Sequence, residues 1–402
     1  MRRITLAKRI GIEIGTSKTK IVVGKYSKKD YKVIGYEIID TVEGVYTIDD
    51  ETDIMKMELP IQAALSKLGV KSGDLNITMN NEKVIIRTRE LPRVSPKDMK
   101  AVVCFEAENF LPYDINEFYV DYKILNEIEE KNTEAEVDED VSETLFNVMI
   151  IAAPKFIVDQ YVSLAEALKL KLKVTTVYTE AISKYLMKNI LQNEQNMLFV
   201  DIGSTYTNMI MYQGFQYFAN IKADIGIGEI RERLIETYGY NDHDVDYQLF
   251  SAQEKTVDED SSMPLDKLDI IKNSVQNKDS KIESTSKLHL LQKKLEKVRK
   301  VKSAFNVPES DIISRRNDEY KNIIKEISRM IEFFKSREYG TFVDCVYLFG
   351  GGAYLTGFQE LLVAETGLRV SILPDVEEEK TLNRDDFQAL LSTVGSCIGG
   401  KH

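Results

Sequence analysis

The chain has 402 residues, 43% of them hydrophobic, which is material for more than one buried core, and its formal net charge is −12. No domain-sized basic stripe interrupts that acidity, so nucleic acid is excluded as a partner held through its phosphate backbone. Cys104, Cys345 and Cys397 lie far apart without metal-ligand spacing, and with three histidines no zinc site and a reducing cytosol are expected.

The opening MRRITLAKRIGIEIG lacks the apolar stretch of a signal peptide, and no apolar run reaches the roughly 18 residues of a membrane span. Arg2, Arg3, Lys8 and Arg9 read as a solvated lead-in to a strand rather than a lipid-binding arm. IGIEIGTSKTKIVVG then reads as a β-hairpin: an apolar strand carrying Glu13, a tip at Gly15-Thr16-Ser17, and a second strand entered through Lys18 and Thr19. Glycine lets the backbone turn and approach a ligand, and successive N–H groups and hydroxyls suit phosphate oxygens. KDYKVIGYEIID makes a third strand, and Ile54, Met57, Ile61, Leu65 and Leu68 recur at helical spacing over 53–68.

From Ile77 to Pro154 the pattern becomes strand, helix, strand, acidic loop and strand, an inserted α+β subdomain. Its helix has Ser95 as N-cap, Pro96 at the first position and Asp98 closing a capping box, with Met99, Val102, Val103, Glu106 and Phe110 on one face. Glu106 on that face reads either as functional or as a snorkelling side chain. The loop 127–143 holds nine carboxylates and one lysine and reads as a solvated excursion. A helix over 155–170, the strand-like LKVTTVY and a helix beginning near Glu180 follow, then a hinge at 192–196.

The hairpin recurs 188 residues after the first as LFVDIGSTYTNMIMY, with Asp201 in place of the glutamate and Gly203-Ser204-Thr205 at the tip. One such tip is an ordinary turn; a matched pair points to one phosphate site between two lobes. A carboxylate beside each tip can hold Mg²⁺ through water, because that ion keeps most of its hydration shell. The stretch 257–322 is polar apart from a helical stripe of Leu288, Leu291, Leu295, Val298 and Phe305, interrupted by Lys302. It reads as a surface-packed helix flanked by linker. A buried-type strand from Val343 then enters Gly350-Gly351-Gly352, with a helix starting at Thr356 or Gly357, and a last amphipathic helix over 387–397 can pack back onto the first lobe.

The two hairpins and the triple glycine resemble the phosphate-1, phosphate-2 and adenosine segments of the actin/Hsp70/sugar-kinase superfamily. That resemblance implies an α/β, two-lobed actin-like (ribonuclease H-like) ATPase fold. Residues 1–80 and 152–195 with 387–402 would form the first lobe, 81–151 the inserted subdomain of FtsA/PilM type, and 196–386 the second lobe. RELPRVSPKDMKAVVCFEAENFLPYDINEFYVDYKIL, MIIAAPKFIVDQYVSLAEALKLK and IIKEISRMIEFFKSRE look like the corresponding stretches of the PilM family of type IV pilus assembly. FtsA is also similar, but its basic amphipathic membrane helix has no counterpart in SCIGGKH.

The PilM resemblance implies a cytoplasmic adaptor in pilus assembly and twitching motility, held at the inner face of the membrane through its partner. That partner would be the N-terminal cytoplasmic peptide of a PilN-like inner-membrane protein, received in a groove walled by Val84–Leu91 and 97–110; other assembly components and self-association are further expectations. ATP with Mg²⁺ would be the cofactor, held by Gly15, Thr16, Ser17, Lys18, Thr19, Gly203, Ser204, Thr205, Gly226, Gly228 and Gly350, Gly351, Gly352. Glu13 and Asp201 would face the metal through water, and Glu180 would be the connecting-segment acid that orients water. Three departures imply weak nucleotide binding and slow or absent hydrolysis. Glu13 replaces the usual aspartate, Gly226-Ile227-Gly228-Glu229-Ile230-Arg231 replaces a Gly-Gly-x-x-Ile-Thr pattern, and Leu249 stands where an Ala-Glu-x-x-Lys motif has its lysine. The competing readings are a small-molecule kinase of the same fold and an FtsA-like filament protein.

Overall fold

The computed structural model describes residues 7–26, 31–46, 52–129, 144–191, 194–250, 309–337, 341–374 and 383–398. Two five-stranded sheets carry the internal repeat. In the first, β1 (Ala7–Ile14), β2 (Lys18–Tyr26) and β3 (Tyr31–Asp40) run antiparallel, and β4 (Asp74–Met79) and β8 (Lys171–Val177) extend β1 in parallel, giving the order β3-β2-β1-β4-β8. The second repeats it with β9 (Met197–Ile202), β10 (Thr207–Gln213), β11 (Gln216–Ala223), β12 (Cys345–Phe349) and β13 (Arg369–Ile372), in the order β11-β10-β9-β12-β13. Two hairpins of similar sequence thus open two sheets of identical topology.

The first sheet is covered on both faces. Ile10, Ile12, Ile14, Ile21 and Val23 pack with α1 (Glu58–Lys67) and α3 (Lys155–Ala167) through Ile61, Leu65, Ile157, Tyr161 and Leu164. The opposite face receives α4 (Tyr178–Asn189) and the helix Arg384–Cys397. That helix presses so close that a Cβ on Gly11 would stand 2.7 Å from the Thr393 carbonyl oxygen, and one on Gly395 only 2.0 Å from the Ala181 carbonyl oxygen. Phe387, Leu390, Leu391 and Val394 continue the core to Phe199, Ile210 and Tyr212 of the second sheet.

Between β4 and α3 the chain builds a three-stranded antiparallel sheet, β5 (Ile85–Pro92), β7 (Thr144–Pro154) and β6 (Phe118–Glu129), in the order β5-β7-β6. It is covered by α2 (Pro96–Glu108), whose Met99, Val103 and Ala107 pack on Leu91, Phe146, Val148 and Ile150. The expected capping holds: the Ser95 hydroxyl accepts from the Asp98 N–H, and Pro96 opens the helix. Glu106 takes 2.9 Å from Arg89 Nε in β5, a structural tie between helix and sheet.

All thirteen strands fall in one compact unit, residues 1–229, 323–353 and 362–402. The second unit, 230–322 with 354–361, holds the remainder of α5 (Ile227–Tyr238), α6 (Asp242–Phe250), the first part of α7 (Glu309–Arg337) and the start of α8 (Phe358–Thr366). Within it Val245, Leu249, Tyr320 and Phe358 are buried, and the Tyr320 and Phe358 rings meet edge to face at 5.3 Å. The polar stretch expected to reach Asn322 is therefore helical from Glu309, because Arg316 and Tyr320 turn inward. The stripe 288–305 and most of the acidic loop, from 130 to 143, lie outside the described residues. Among the described residues no helix is long and apolar enough to cross a membrane.

Candidate functional site

Each hairpin tip is made by the same turn. The Gly15 N–H donates to the Lys18 carbonyl at 3.1 Å, and the Gly203 N–H donates to the Tyr206 carbonyl at 2.9 Å. A Cβ on either glycine would meet that carbonyl oxygen within 2.9 Å, so the turn excludes any larger residue. The structure brings the two tips together: the Thr205 hydroxyl donates to the Thr16 hydroxyl at 2.7 Å, and Tyr206 donates to the Glu82 carboxylate. Thr41 braces the first tip from behind, bonding the Gly15 carbonyl at 2.8 Å and the Thr19 hydroxyl at 2.9 Å.

After the first tip, Lys18 and Lys20 lie on one face of β2 and Thr19 on the other, and the two lysines differ in their position along the strand. Ser17 is exposed, Lys18 turns outward to Asp40, and Thr19 is fully buried against Thr41. The cation that turns inward is Lys20, which sequence reasoning passed over. Its signal was available, because Glu13 and Lys20 are direct partners in the β1–β2 register. Lys20 Nζ lies 2.9 Å from Glu13 Oε1, while Ser392 and, at 3.4 Å, Thr393 donate to Oε2. Glu13 is 1% exposed, so this carboxylate is compensated wholly by protein groups.

Asp201, also buried, accepts from the Tyr178 hydroxyl at Oδ2. Burial raises the Asp201 pKa to about 6, with Glu13 pushing the same way against Lys20 and the Tyr178 hydrogen bond. Burial also holds the Tyr178 hydroxyl well above its usual range, reinforced by Asp201. For Lys20 burial works downward, but the Glu13 and Asp201 carboxylates outweigh it and the net direction is up. These shifts place Glu13, Lys20 and Asp201 in one electrostatic cluster between the two sheets.

The glycines after the strands serve close packing. The Ile227 and Gly228 N–H groups donate to the Gly203 and Ser204 carbonyls at 2.9 and 2.7 Å, and a Cβ on Gly226 would stand 2.4 Å from the Ser204 oxygen. Gly350, at φ +79°, leaves no room beside Asp201 Oδ1, since a Cβ there would sit 1.7 Å away. Gly352 packs on Ile202, with its N–H 2.9 Å from the Ile202 carbonyl. Only Gly351 of the three is exposed with open space around its Cα. Leu249, at the position expected for a lysine, is a core residue of the second unit whose carbonyl accepts from the Thr356 N–H at 2.8 Å.

As a phosphate cradle, the tips offer the hydroxyls of Thr16, Ser17, Ser204 and Thr205, with Lys20 the nearest buried cation. For Mg²⁺ the donor set fits less well. Both Glu13 oxygens are engaged, and Oδ1 of Asp201 alone keeps no hydrogen-bond donor. Among the described residues no group of three or more His, Cys, Asp or Glu could hold a metal ion. Glu180 sits in the first turn of α4, as expected, but its carboxylate is taken by Lys123 at 2.6 Å and Lys184 at 3.6 Å. It faces a cavity of ≈ 100 Å³ shared with Ser183, Met187 and Tyr212.

Comparison with known proteins follows this geometry. No match is found among curated proteins. Among solved structures the chain is similar to a PilM-PilN type IV pilus biogenesis complex, at 17% identity over 97% of each chain with a TM-score of 0.69, a likeness of fold. It is also similar, at TM-score 0.48 and 11% identity, to the ethanolamine utilization protein EutJ from Carboxydothermus hydrogenoformans, over 100% of this chain and 94% of that one. The paired sheets, the inserted α+β sheet and the first of these likenesses agree on a two-lobed actin-like α/β fold. The family model described as type IV pilus assembly protein PilM matches residues 11–253, more than half of the sequence, and the chain belongs to that family.

Proposed function

We propose that this chain is a nucleotide-responsive adaptor of type IV pilus assembly that captures the cytoplasmic N-terminal tail of a PilN-like inner-membrane protein and is thereby held at the inner face of the membrane. The observation that carries the reading is the inserted three-stranded sheet of a PilM-family chain, whose β5 is paired, among the described residues, by β7 alone. Its other edge offers main-chain donors and acceptors, and an extended peptide can add there with side-chain pockets supplying specificity. The groove wall would be β5 together with α2.

ATP would act as a conformational ligand. The Thr16–Thr205 hydrogen bond closes the tips on each other, so a nucleotide whose phosphates take those hydroxyls exchanges a direct contact for a bridged one. A ligand shifts a conformational equilibrium only by its differential affinity for the two arrangements, and the tips are where that difference would arise. Bound ATP would supply the phosphate oxygens that bridge them. Thr16, Ser17, Ser204 and Thr205 would hold the phosphates, Lys20 would offset their charge, and Asp201 Oδ1 would accept from water on Mg²⁺. Glu13 and Glu180 are both ion-paired, so neither is offered as a general base, and hydrolysis would be slow or absent.

The test is calorimetric titration of the full chain with the N-terminal peptide of the PilN-like partner, against a scrambled control, with and without Mg-ATP. Saturable binding of the true peptide alone is expected. No binding in either condition refutes the adaptor reading, and ATP turnover at about 1 s⁻¹ or faster refutes the role of ATP as a ligand.

A further inference from the structure

A cavity of ≈ 480 Å³ is bordered by none of the tip residues 15–19 or 203–205 and by none of the triple glycine. It opens between the β4–β5 connection, the start of β5, the entrance to α4 and the β10–β11 hairpin. Its lining holds polar groups with nothing to bond. Lys222 Nζ is buried without a hydrogen-bond partner among the described residues, lying 3.8 Å over the Tyr206 ring. The Asn208 carboxamide is 8% exposed and makes no hydrogen bond with the described residues. Asn81, equally buried, uses its oxygen on the Lys83 N–H, which leaves its amide donors for the cavity.

A buried ammonium without an acceptor is costly, because the desolvation of the charge is repaid only by direct bonds. Glu82 and Asp224 lie near enough to favour the charged form, but neither bonds Lys222; Glu82 is taken by the Tyr206 hydroxyl. Burial outweighs them and pulls the Lys222 pKa down to about 8. The missing element is an acceptor that can enter the cavity and meet Lys222 together with two carboxamides. Arg87 at the β5 side adds a second positive charge to a lining that also holds the Glu82 and Asp224 carboxylates.

We propose that this cavity is a binding site for a small oxyanion, a phosphate or a carboxylate, received by Lys222 with Asn208 and Asn81 as neutral donors. Tyr206 lies across the ammonium as its cover, so entry of the anion exchanges the cation–π contact for charge-assisted hydrogen bonds. The site goes beyond the nucleotide and peptide readings, and neither needs to be right for it to bind.

The test is calorimetric titration of the full-length chain at low salt with inorganic phosphate and, separately, with malonate. Saturable binding of either probe is expected, and which one binds tells tetrahedral from carboxylate ligands. Lys222→Met, which keeps the apolar stem, should weaken binding by about tenfold or more. Glu82→Gln, which removes a competing negative charge, should tighten it severalfold, about threefold or more. The opposite signs separate a binding role from mere loss of structure, and the second variant retains the test if the first fails to fold. Failure of both probes to bind, binding undiminished in Lys222→Met, or no tightening in Glu82→Gln overturns the site. Because the peptide titration uses a different ligand and the unaltered chain, its failure and this one are read independently.

Discussion

Replacing Lys20 by methionine removes the only ammonium that bonds Glu13 and leaves a carboxylate 1% exposed with two hydroxyl donors. Breaking a buried pair from one side costs about 3–5 kcal/mol, because the remaining charge keeps its desolvation penalty. Lys20 is itself 18% exposed and Ser392 and Thr393 stay in place, so the lower end, about 3 kcal/mol, is the expected loss. That corresponds to about a hundredfold rise in opening of the hairpin. Hydrogen exchange of the β1, β2 and β9 amides at pH 7 measures it locally, without assuming that a chain of two units unfolds in one step. Replacing both partners, Glu13→Gln with Lys20→Met, removes the stranded charge and should bring protection back to within about 1 kcal/mol of the parent. A loss below about 1 kcal/mol in the single variant, or a double variant no better than the single, would refute the view that Glu13 depends on Lys20 for its charge balance.

Asp201 makes stability depend on pH. Its folded pKa of about 6 lies above the ordinary aspartate value of 3.8, so the folded state binds the proton more tightly. Stability therefore falls as pH rises from about 4 through 6, and moving from pH 5 to 7.5 should lose about 1 kcal/mol, which Asp201→Asn abolishes; urea midpoints of both proteins at the two pH values check this. Gly350→Ala should destabilise by more than about 2 kcal/mol through its φ of +79° and the clash with Asp201, whereas Gly351→Ala, with open space at its Cβ, should stay within about 0.5 kcal/mol in the same assay. Thr205→Val breaks the tip-to-tip hydrogen bond, and the exchange of amides at 15–19 and 204–206 should speed up by about fivefold, matching about 1 kcal/mol.

Much of the fold was legible because repeats and periodicity are local properties. The doubled hairpin pointed to two lobes, and the structure shows each copy opening a sheet of the same topology; Ser95 with Pro96 set the start of α2 to the residue. The site was legible only in outline. Lys18 and Lys20 share one face of β2 and Thr19 takes the other; what separates the two lysines is the pairing register, which sets Lys20 opposite Glu13 and Lys18 at the strand end beside Asp40, and a motif does not state it. The glycines of 226–228 and 350–352 looked like ligand contacts, whereas most answer to backbone carbonyls and Asp201, because their neighbours come from distant strands. Glu180 carried no sequence sign that Lys123, 57 residues earlier, would claim it. Lys222 escaped notice for the same reason: its solitude is visible only once the hairpins, β5 and α4 are folded round it.

The helix Arg384–Cys397 has a consequence for the order in which the molecule is made. It covers the face of the first sheet at Gly11, bonds Glu13 through Ser392, and receives Arg9 and Asn76 on the Cys397 and Ser396 carbonyls, across up to 388 residues of sequence. On a ribosome that builds from the amino terminus, the first sheet waits with Gly11, Glu13 and Lys20 uncovered until residues 384–397 have been synthesised. Long-range closure of this kind slows folding and leaves an apolar surface open meanwhile. A nascent chain stalled before residue 384 is therefore a natural client for chaperones, however complete its second sheet.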